Sequence, residues 1–258
     1  MTDKMVLGIF GGFLGAVLGS FLNVCIVRLP TGESVVQPRS RCPKCGYQLQ
    51  WFDNIPVVSW LLLRARCRKC GEPISPLYPL VELAVALVWA GMALHYGLAA
   101  EALRGALFGT LLIGVAVTNA REYIIPNEFT LGGVVIGLLF AAVGGGNALL
   151  QSALGAAVGF GLLWLVGRLS SWLFKEDAMG EGDIRMMAMV GAFLGWHGVL
   201  LTVFLGGLGG SLLFVPLRIV AKKQFLVPFG VFLAIGAAAT YFVGPAILTW
   251  YQRLLGTA

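Results

Sequence analysis

The strongest constraint on this chain is a series of long apolar runs that carry no charge. The first, residues 5–27, has no charged side chain at all. A helix that crosses a bilayer needs about 20 mostly apolar residues. This run is too long for the core of a signal peptide and no small-residue cleavage site follows it, so it reads as a retained span. Further spans are expected at 77–94, 103–117, 129–143 and 148–166. The run 184–217 is too long for one span and is expected to divide at Gly195-Trp196-His197-Gly198. The last span is 225–250, which makes about eight.

Composition points the same way. The chain is 58 % hydrophobic and 12 % charged, with 36 glycines among 258 residues. A soluble domain of this size has too little interior to hide so much apolar side chain. Disorder requires the opposite composition, and an outer-membrane barrel would show short alternating segments. The expected fold is an all-α polytopic membrane protein whose glycines permit close helix packing. Gly11, Gly12, Gly15 and Gly19 in the first span serve either that packing or the approach of a foreign helix. The expected organisation is a first transmembrane helix (1–28), an insert (29–76) and a remaining transmembrane bundle (77–258), with no internal repeat.

Charge distribution gives an orientation. The connections 28–76, 118–128, 167–185 and 216–224 hold 15 of the 18 basic residues, leaving Lys4, Arg104 and Arg253 on the other side. The positive-inside rule then places these connections in the cytoplasm and both termini outside. The net charge of +6 reads as cytoplasmic loops facing membrane lipid, not as a nucleic-acid surface.

The insert carries two cysteine knuckles, Cys42-Pro43-Lys44-Cys45 and Cys67-Arg68-Lys69-Cys70, each followed by glycine. Four thiolates at this spacing are the set that Zn²⁺ takes in closed structural sites. Arg41, Lys44, Arg66, Arg68 and Lys69 favour the thiolates, and a reducing compartment argues against disulfides. Iron–sulfur ligation is the lesser alternative. With four protein ligands the metal has no open position, so its expected role is to fold a loop too small for a core of its own. Cys25, inside the first span, reads as a packing residue.

Three polar stretches interrupt the apolar background. Glu82 lies inside the second span, where a carboxyl either hydrogen-bonds between helices or contacts substrate. Gly180-Glu181-Gly182-Asp183 opens a span, where Asp183 either caps the helix or does chemistry favoured by the helix dipole. Asn119 closes a span at the same membrane face, before Pro126 breaks the chain.

Taken in order, these residues resemble the type IV prepilin peptidases, the bacterial leader peptidases of pili and type II secretion. The resemblance covers nearly the whole chain. It rests on Gly19-Ser20-Phe21-Leu22-Asn23-Val24 through Arg28-Leu29-Pro30, the two cysteine knuckles around Asp53-Asn54-Ile55-Pro56 and Ser59-Trp60, Tyr78-Pro79-Leu80-Val81-Glu82, and Gly180-Glu181-Gly182-Asp183. The last fits the GxGD motif shared with presenilin-type proteases. The resemblance implies an aspartyl endopeptidase of the bacterial inner membrane. It would cut the basic leader from prepilins or pseudopilins at the cytoplasmic face and N-methylate the new terminus with S-adenosylmethionine. Gly180, Gly182 and Glu82 are candidate substrate contacts. Glu176, Asp177 and Glu181 are the acids available to meet a basic leader.

One position departs from the family. Its mechanism uses two aspartates that divide the roles of acid and base by sharing a proton. Asp183 matches the second, but Asn119 stands where the first is expected. An amide cannot take a proton from water at neutral pH, so the expected chain is a peptidase impaired at one member of its dyad. The intact surroundings favour an introduced change over natural drift. Glu122, one turn on, is a conceivable substitute, with a surface charge paired to Arg121 as the plainer reading. The competing function is a non-catalytic prepilin-binding or assembly factor. A small transporter ranks below both, because the polar cluster sits at one face and not at the midplane.

Overall fold

A computed structural model describes residues 2–175, 179–221 and 227–254. Among these residues the fold is helical, with two isolated β-bridges in the insert and no strand. Six helices are long and apolar enough to cross a membrane, and a seventh, α5, is apolar but shorter. The chain is therefore a multi-pass α-helical membrane protein. It divides into two compact units, Met1–Gly114 and Val115–Ala258.

The first unit pairs α1 (Thr2–Arg28) with α3 (Leu77–Tyr96) in antiparallel contact, followed by the start of α4 (Ala100–Glu122). Glycines set the spacing. A β-carbon on Gly15 would lie 2.8 Å from the Val85 carbonyl oxygen, and one on Gly19 would lie 2.7 Å from the Glu82 Cα. Gly11 likewise faces the Trp89 carbonyl at 3.0 Å. In lipid no hydrophobic force drives helices together, so close van der Waals contact between backbones does that work. The glycine row thus serves packing against α3, not the approach of a foreign helix. On the opposite face of α1, Ile9, Phe10, Phe13 and Val17 are exposed, as lipid-facing side chains are.

Polar groups within this unit find partners, as an apolar setting requires. Asn23 Nδ2 donates to the Tyr78 carbonyl at 2.9 Å, tying the end of α1 to the start of α3. Trp89 Nε1 donates to Thr110 Oγ1 at 3.0 Å, tying α3 to α4.

Between α1 and α3 lies the insert, with a 3₁₀ turn at Trp51–Asn54 and a short helix α2 (Val58–Leu62). Its knuckles are a local repeat, Arg-Cys-x-Lys-Cys-Gly at 41–46 and again at 66–71. This corrects the expectation of no internal repeat. The matching bridges, Arg41 with Gln48 and Arg66 with Pro73, show that the two copies fold alike.

The second unit is organised around α7 (Glu181–Ala221), which packs against α5 (Asn127–Val143), α6 (Gly146–Phe174) and α8 (Phe229–Leu254). Met186, Met187, Met189, Val190 and Phe193 of α7 are buried. A side chain at Gly155 or Gly191 would overlap the backbone of the other, so α6 and α7 touch main chain to main chain. Ser152 donates to the Ala192 carbonyl at 2.6 Å, and Thr202 donates to Thr240 Oγ1 at 3.2 Å. The expected break in this long run is present. Gly195 adopts φ 69° and ψ 179°, outside helical geometry, with helix on either side. An L side chain would resist that φ.

The Gly19 contact yields a test. Gly19→Leu should destabilise the protein by about 1–3 kcal/mol through overpacking, read as earlier unfolding in a detergent titration. Gly12→Ala, whose β-carbon would meet nothing closer than 3.5 Å, should leave the midpoint unchanged.

Candidate metal centre and buried carboxyl site

The four knuckle cysteines converge. Their sulfurs all lie within 4.8 Å of one another, with Cys42 and Cys70 at 3.8 Å and Cys45 and Cys67 at 3.9 Å. A tetrahedral Zn²⁺ with Zn–S bonds of about 2.3 Å sets its sulfurs about 3.8 Å apart, so the cluster fits the ion. Local backbone explains the convergence. Gly46 and Gly71 hold φ 68° and 74°, which lets their N–H groups turn back to the carbonyls of Cys42 and Cys67 at 3.0 and 2.9 Å. Backbone N–H groups of Cys45 and Lys44 push the Cys42 thiol down to about 7. At Cys70 the Glu72 N–H also lowers the thiol, but desolvation and the other three sulfurs outweigh it and push it up to about 12. Four thiolates therefore coexist only around a cation.

Asp53 joins the two knuckles. It accepts from Tyr47 Oη at 3.0 Å on one side and from Arg68 Nε at 2.8 Å on the other, and from the Gln50 N–H at 3.1 Å. Burial works to raise its carboxyl, and these donors, Arg68 foremost, more than offset that and hold it below the usual aspartate range. Arg68 also lies over the Phe52 ring at 5.1 Å. The sequence motif contains Asp53, but its linking role emerges only from the folded knuckles.

Glu82 is buried, and its Oε2 accepts from the Val57 N–H at 2.7 Å. Val57 holds φ 62°, a region that β-branched residues avoid. The carboxylate thus pins a strained turn of the insert onto α3. Ser20 of α1 also donates to the Glu82 carboxyl, so the expected bonding between helices is present beside the bond to the insert.

In the second unit, α4 ends and α7 begins close to a common neighbour. Asn119, buried on the last turns of α4, and Ile125, buried in the following loop, both face Gly230 of α8. A β-carbon there would lie 3.0 Å from Asn119 Oδ1 and 2.7 Å from Ile125 Cδ1. Gly182 abuts the same Ile125 side chain, at 2.8 Å from its Cβ. Asp183 follows at once. It lies inside the first turn of α7 and does not cap it, because the helix begins at Glu181. Its carboxyl folds back over Gly180, whose β-carbon would meet Oδ2 at 3.2 Å. Asn119 Oδ1 and Asp183 Oδ1 are both buried without a hydrogen-bond partner. Such atoms are costly in an apolar setting and call for an explanation.

The neighbouring acids are engaged or elsewhere. Glu181 pairs with Arg185 at 2.5 Å, and Arg185 also donates to Asn127 Oδ1 at 2.6 Å. Glu122 is exposed and lies 3.9 Å from Arg121, as the plainer reading of it expected. Glu176 and Asp177 lie outside the described residues. Gly230 is a residue that the sequence reading missed. Nothing in a lone Pro-Phe-Gly stretch signals that its glycine meets a side chain more than a hundred residues earlier.

The metal assignment has a direct check. Elemental analysis of the purified protein should find one zinc per chain, falling to none in Cys67→Ser. Amide exchange at Gly46 and Gly71 should then accelerate. Iron in place of zinc, or unchanged exchange after metal loss, would contradict it.

Comparison with known proteins finds family matches over the segments that carry these residues. The Bacterial Peptidase A24 N-terminal domain matches residues 13–96, and the Type IV leader peptidase family matches residues 106–215. A prepilin leader peptidase/N-methyltransferase of Aeromonas hydrophila is 32 % identical over 265 residues, covering 91 % of this chain and 90 % of that protein. One of Stutzerimonas stutzeri is 34 % identical over 269 residues, covering 93 % and 92 %. One of Myxococcus xanthus is 39 % identical over 218 residues, covering 82 % of this chain but 65 % of that protein. No solved structure matches the chain. With a cysteine knuckle pair in the first unit, a GxGD aspartate in the second and relatives of this similarity along almost its full length, the chain belongs to the prepilin leader peptidase/N-methyltransferase family.

Proposed function

We propose that this chain is a prepilin peptidase scaffold whose reaction centre lies at Asn119 and Asp183, and that it is peptidase-impaired as its sequence stands. The observation that carries the reading is the pair of buried, unpartnered oxygens on these two side chains. In an intact dyad one carboxyl donates a proton and the other accepts one. An amide oxygen and a carboxylate oxygen are both acceptors, so these two atoms cannot bond each other, and the Asn119 amide has only Nδ2 hydrogens to donate and no acidic proton to transfer.

With aspartate at 119, the chemistry is peptide hydrolysis. One carboxylate takes a proton from water as the water oxygen bonds to the scissile carbonyl carbon. The other, protonated, donates to the carbonyl oxygen. Collapse of the tetrahedral intermediate breaks the C–N bond, and the departing amine takes up a proton. With Asn119, one partner cannot exchange a proton. Loss of general-base assistance alone costs about 10² to 10⁴ in rate. Gly230 and Gly182 keep the walls of this centre close, and Gly180 leaves room for the Asp183 carboxyl.

The substrate in this reading is a prepilin or pseudopilin with a basic leader, by the activity that the relatives' names state. The charge skew supports eight spans, with both termini outside and the insert and reaction centre at the cytoplasmic face of a bacterial inner membrane. The seven apolar helices and the Gly195 break are compatible with that count. For the second activity that the relatives' names state, S-adenosylmethionine would supply the methyl group, leaving as S-adenosylhomocysteine; no residue of this chain is assigned to hold it. Glu82 is not free to hold it, since its carboxylate is engaged by Val57. Cys42, Cys45, Cys67 and Cys70 would hold zinc, which would order the insert and, with four protein ligands, would have no open position for substrate.

The test is cleavage of a prepilin in detergent by the chain with Asn119 and by Asn119→Asp, followed as loss of the leader on a gel. The expected result is cleavage at least about 100-fold faster in the aspartate variant, abolished again by Gly230→Val. Equal cleavage by both would move the base elsewhere, with Glu122 the first suspect. Binding without cleavage by either would favour an assembly factor.

A further inference from the structure

The insert has an apolar stripe that the peptidase reading does not use. In α2, Ser59 is buried and Trp60 Nε1 donates to the Ile74 carbonyl at 3.1 Å, so that side of the helix faces the insert. Val58, Leu61 and Leu62, spaced as one helical face, point outward and are 49 %, 60 % and 78 % exposed. Trp51, just upstream, is 74 % exposed and packs edge-on against Phe52. Arg64 and Arg66 follow the stripe directly, both exposed. No acidic side chain pairs with either among the described residues.

Two further observations identify what covers this face. The first is depth. Val57, the residue before α2, is hydrogen-bonded to Glu82 at 2.7 Å. Glu82 lies five residues into α3, about 7.5 Å along its axis. A 20-residue helix such as α3 matches a hydrocarbon core of about 30 Å. The Glu82 side chain leans back toward the helix start, so the start of α2 is held at the level at which α3 enters the apolar layer. The second is charge. The insert, 29–76, has seven basic residues against three acidic ones, which suits an anionic surface and opposes a basic peptide.

We propose that residues 51–66 form an interfacial anchor on an anionic lipid surface, with Val58, Leu61 and Leu62 among the upper acyl chains, Trp51 at headgroup level and Arg64 and Arg66 on lipid phosphates. This is the arrangement of a monotopic amphipathic segment, with apolar side chains below, tryptophan at the boundary and basic residues on the polar side. The anchor is consistent with the Val57–Glu82 bond, which ties the start of α2 to the edge of the membrane layer. The proposal rests on the placement of α1 and α3 as spans and not on the peptidase reading.

Photocrosslinking in nanodiscs of equimolar phosphatidylglycerol and phosphatidylcholine tests it. Leu62 is replaced by p-benzoylphenylalanine in the full chain, and Phe10, on the exposed face of α1, serves as the spanning reference. Lipid adducts are expected at both positions. At 62 the phosphatidylglycerol adduct should exceed the phosphatidylcholine adduct about 3-fold or more, since each interfacial basic residue favours anionic lipid. The Arg64→Glu/Arg66→Glu variant should lose that preference while still binding zinc. Adducts at 10 but none at 62, or no headgroup preference at 62, would overturn the proposal. So would capture of an added prepilin at 62 in place of lipid. Absence of adducts at both positions would overturn the spanning fold and the proposal with it.

Discussion

Main-chain contact between apolar helices is the constraint on which the rest of this structure depends. Lipid tails are as apolar as leucine, so helices gain nothing by hiding side chains from them and must gain by proximity. Glycine supplies that proximity. It sets α1 against α3 at Gly15 and Gly19, and α6 against α7 at Gly155 and Gly191. The same device builds the candidate reaction centre, where Gly182 and Gly230 bring the starts of α7 and α8 onto Ile125 and Asn119. The site is thus an extension of the packing rule and not an exception to it.

Polar groups in such a setting follow a second rule, that each should be matched. Asn23, Trp89, Ser152 and Thr202 all bridge between segments, and Glu82 bonds both Ser20 of α1 and the Val57 N–H of the insert. Against that background, the unmatched oxygens of Asn119 and Asp183 mark the place where the chain departs from structural economy. The insert obeys the same logic by different means. Too small to bury a core, it has four converging cysteines that fit a metal ion, Asp53 between the knuckles and a grip on α3.

The spans were legible because hydropathy over 20 residues is a strong signal, and the Gly195 break was legible because a 34-residue apolar run exceeds any bilayer. The cysteine set was legible from spacing alone. Span number was less so, since α5 has 17 residues and falls below the length at which composition decides. The knuckle repeat was overlooked although it is written in the sequence, because the shared residues are few. Gly230, and the bond from Val57 to Glu82, had no sequence signal. The first is a close approach between distant segments, and the second uses a backbone N–H that every residue but proline possesses. Asp183 was placed correctly at a helix start, and of its two readings the cap is not what the helix shows. Caps differ from first-turn residues by one or two positions, which composition does not resolve.

The measurement that bears most directly on the shared reaction centre is the pH dependence of prepilin cleavage by the Asn119→Asp chain. Two carboxyls that share a proton titrate as a pair and give a bell-shaped profile bounded by two ionisations. The account predicts that profile, and predicts that Asp183→Asn in the same background removes cleavage across the whole range. A profile with a single ionisation, or cleavage that survives the loss of Asp183, would contradict it.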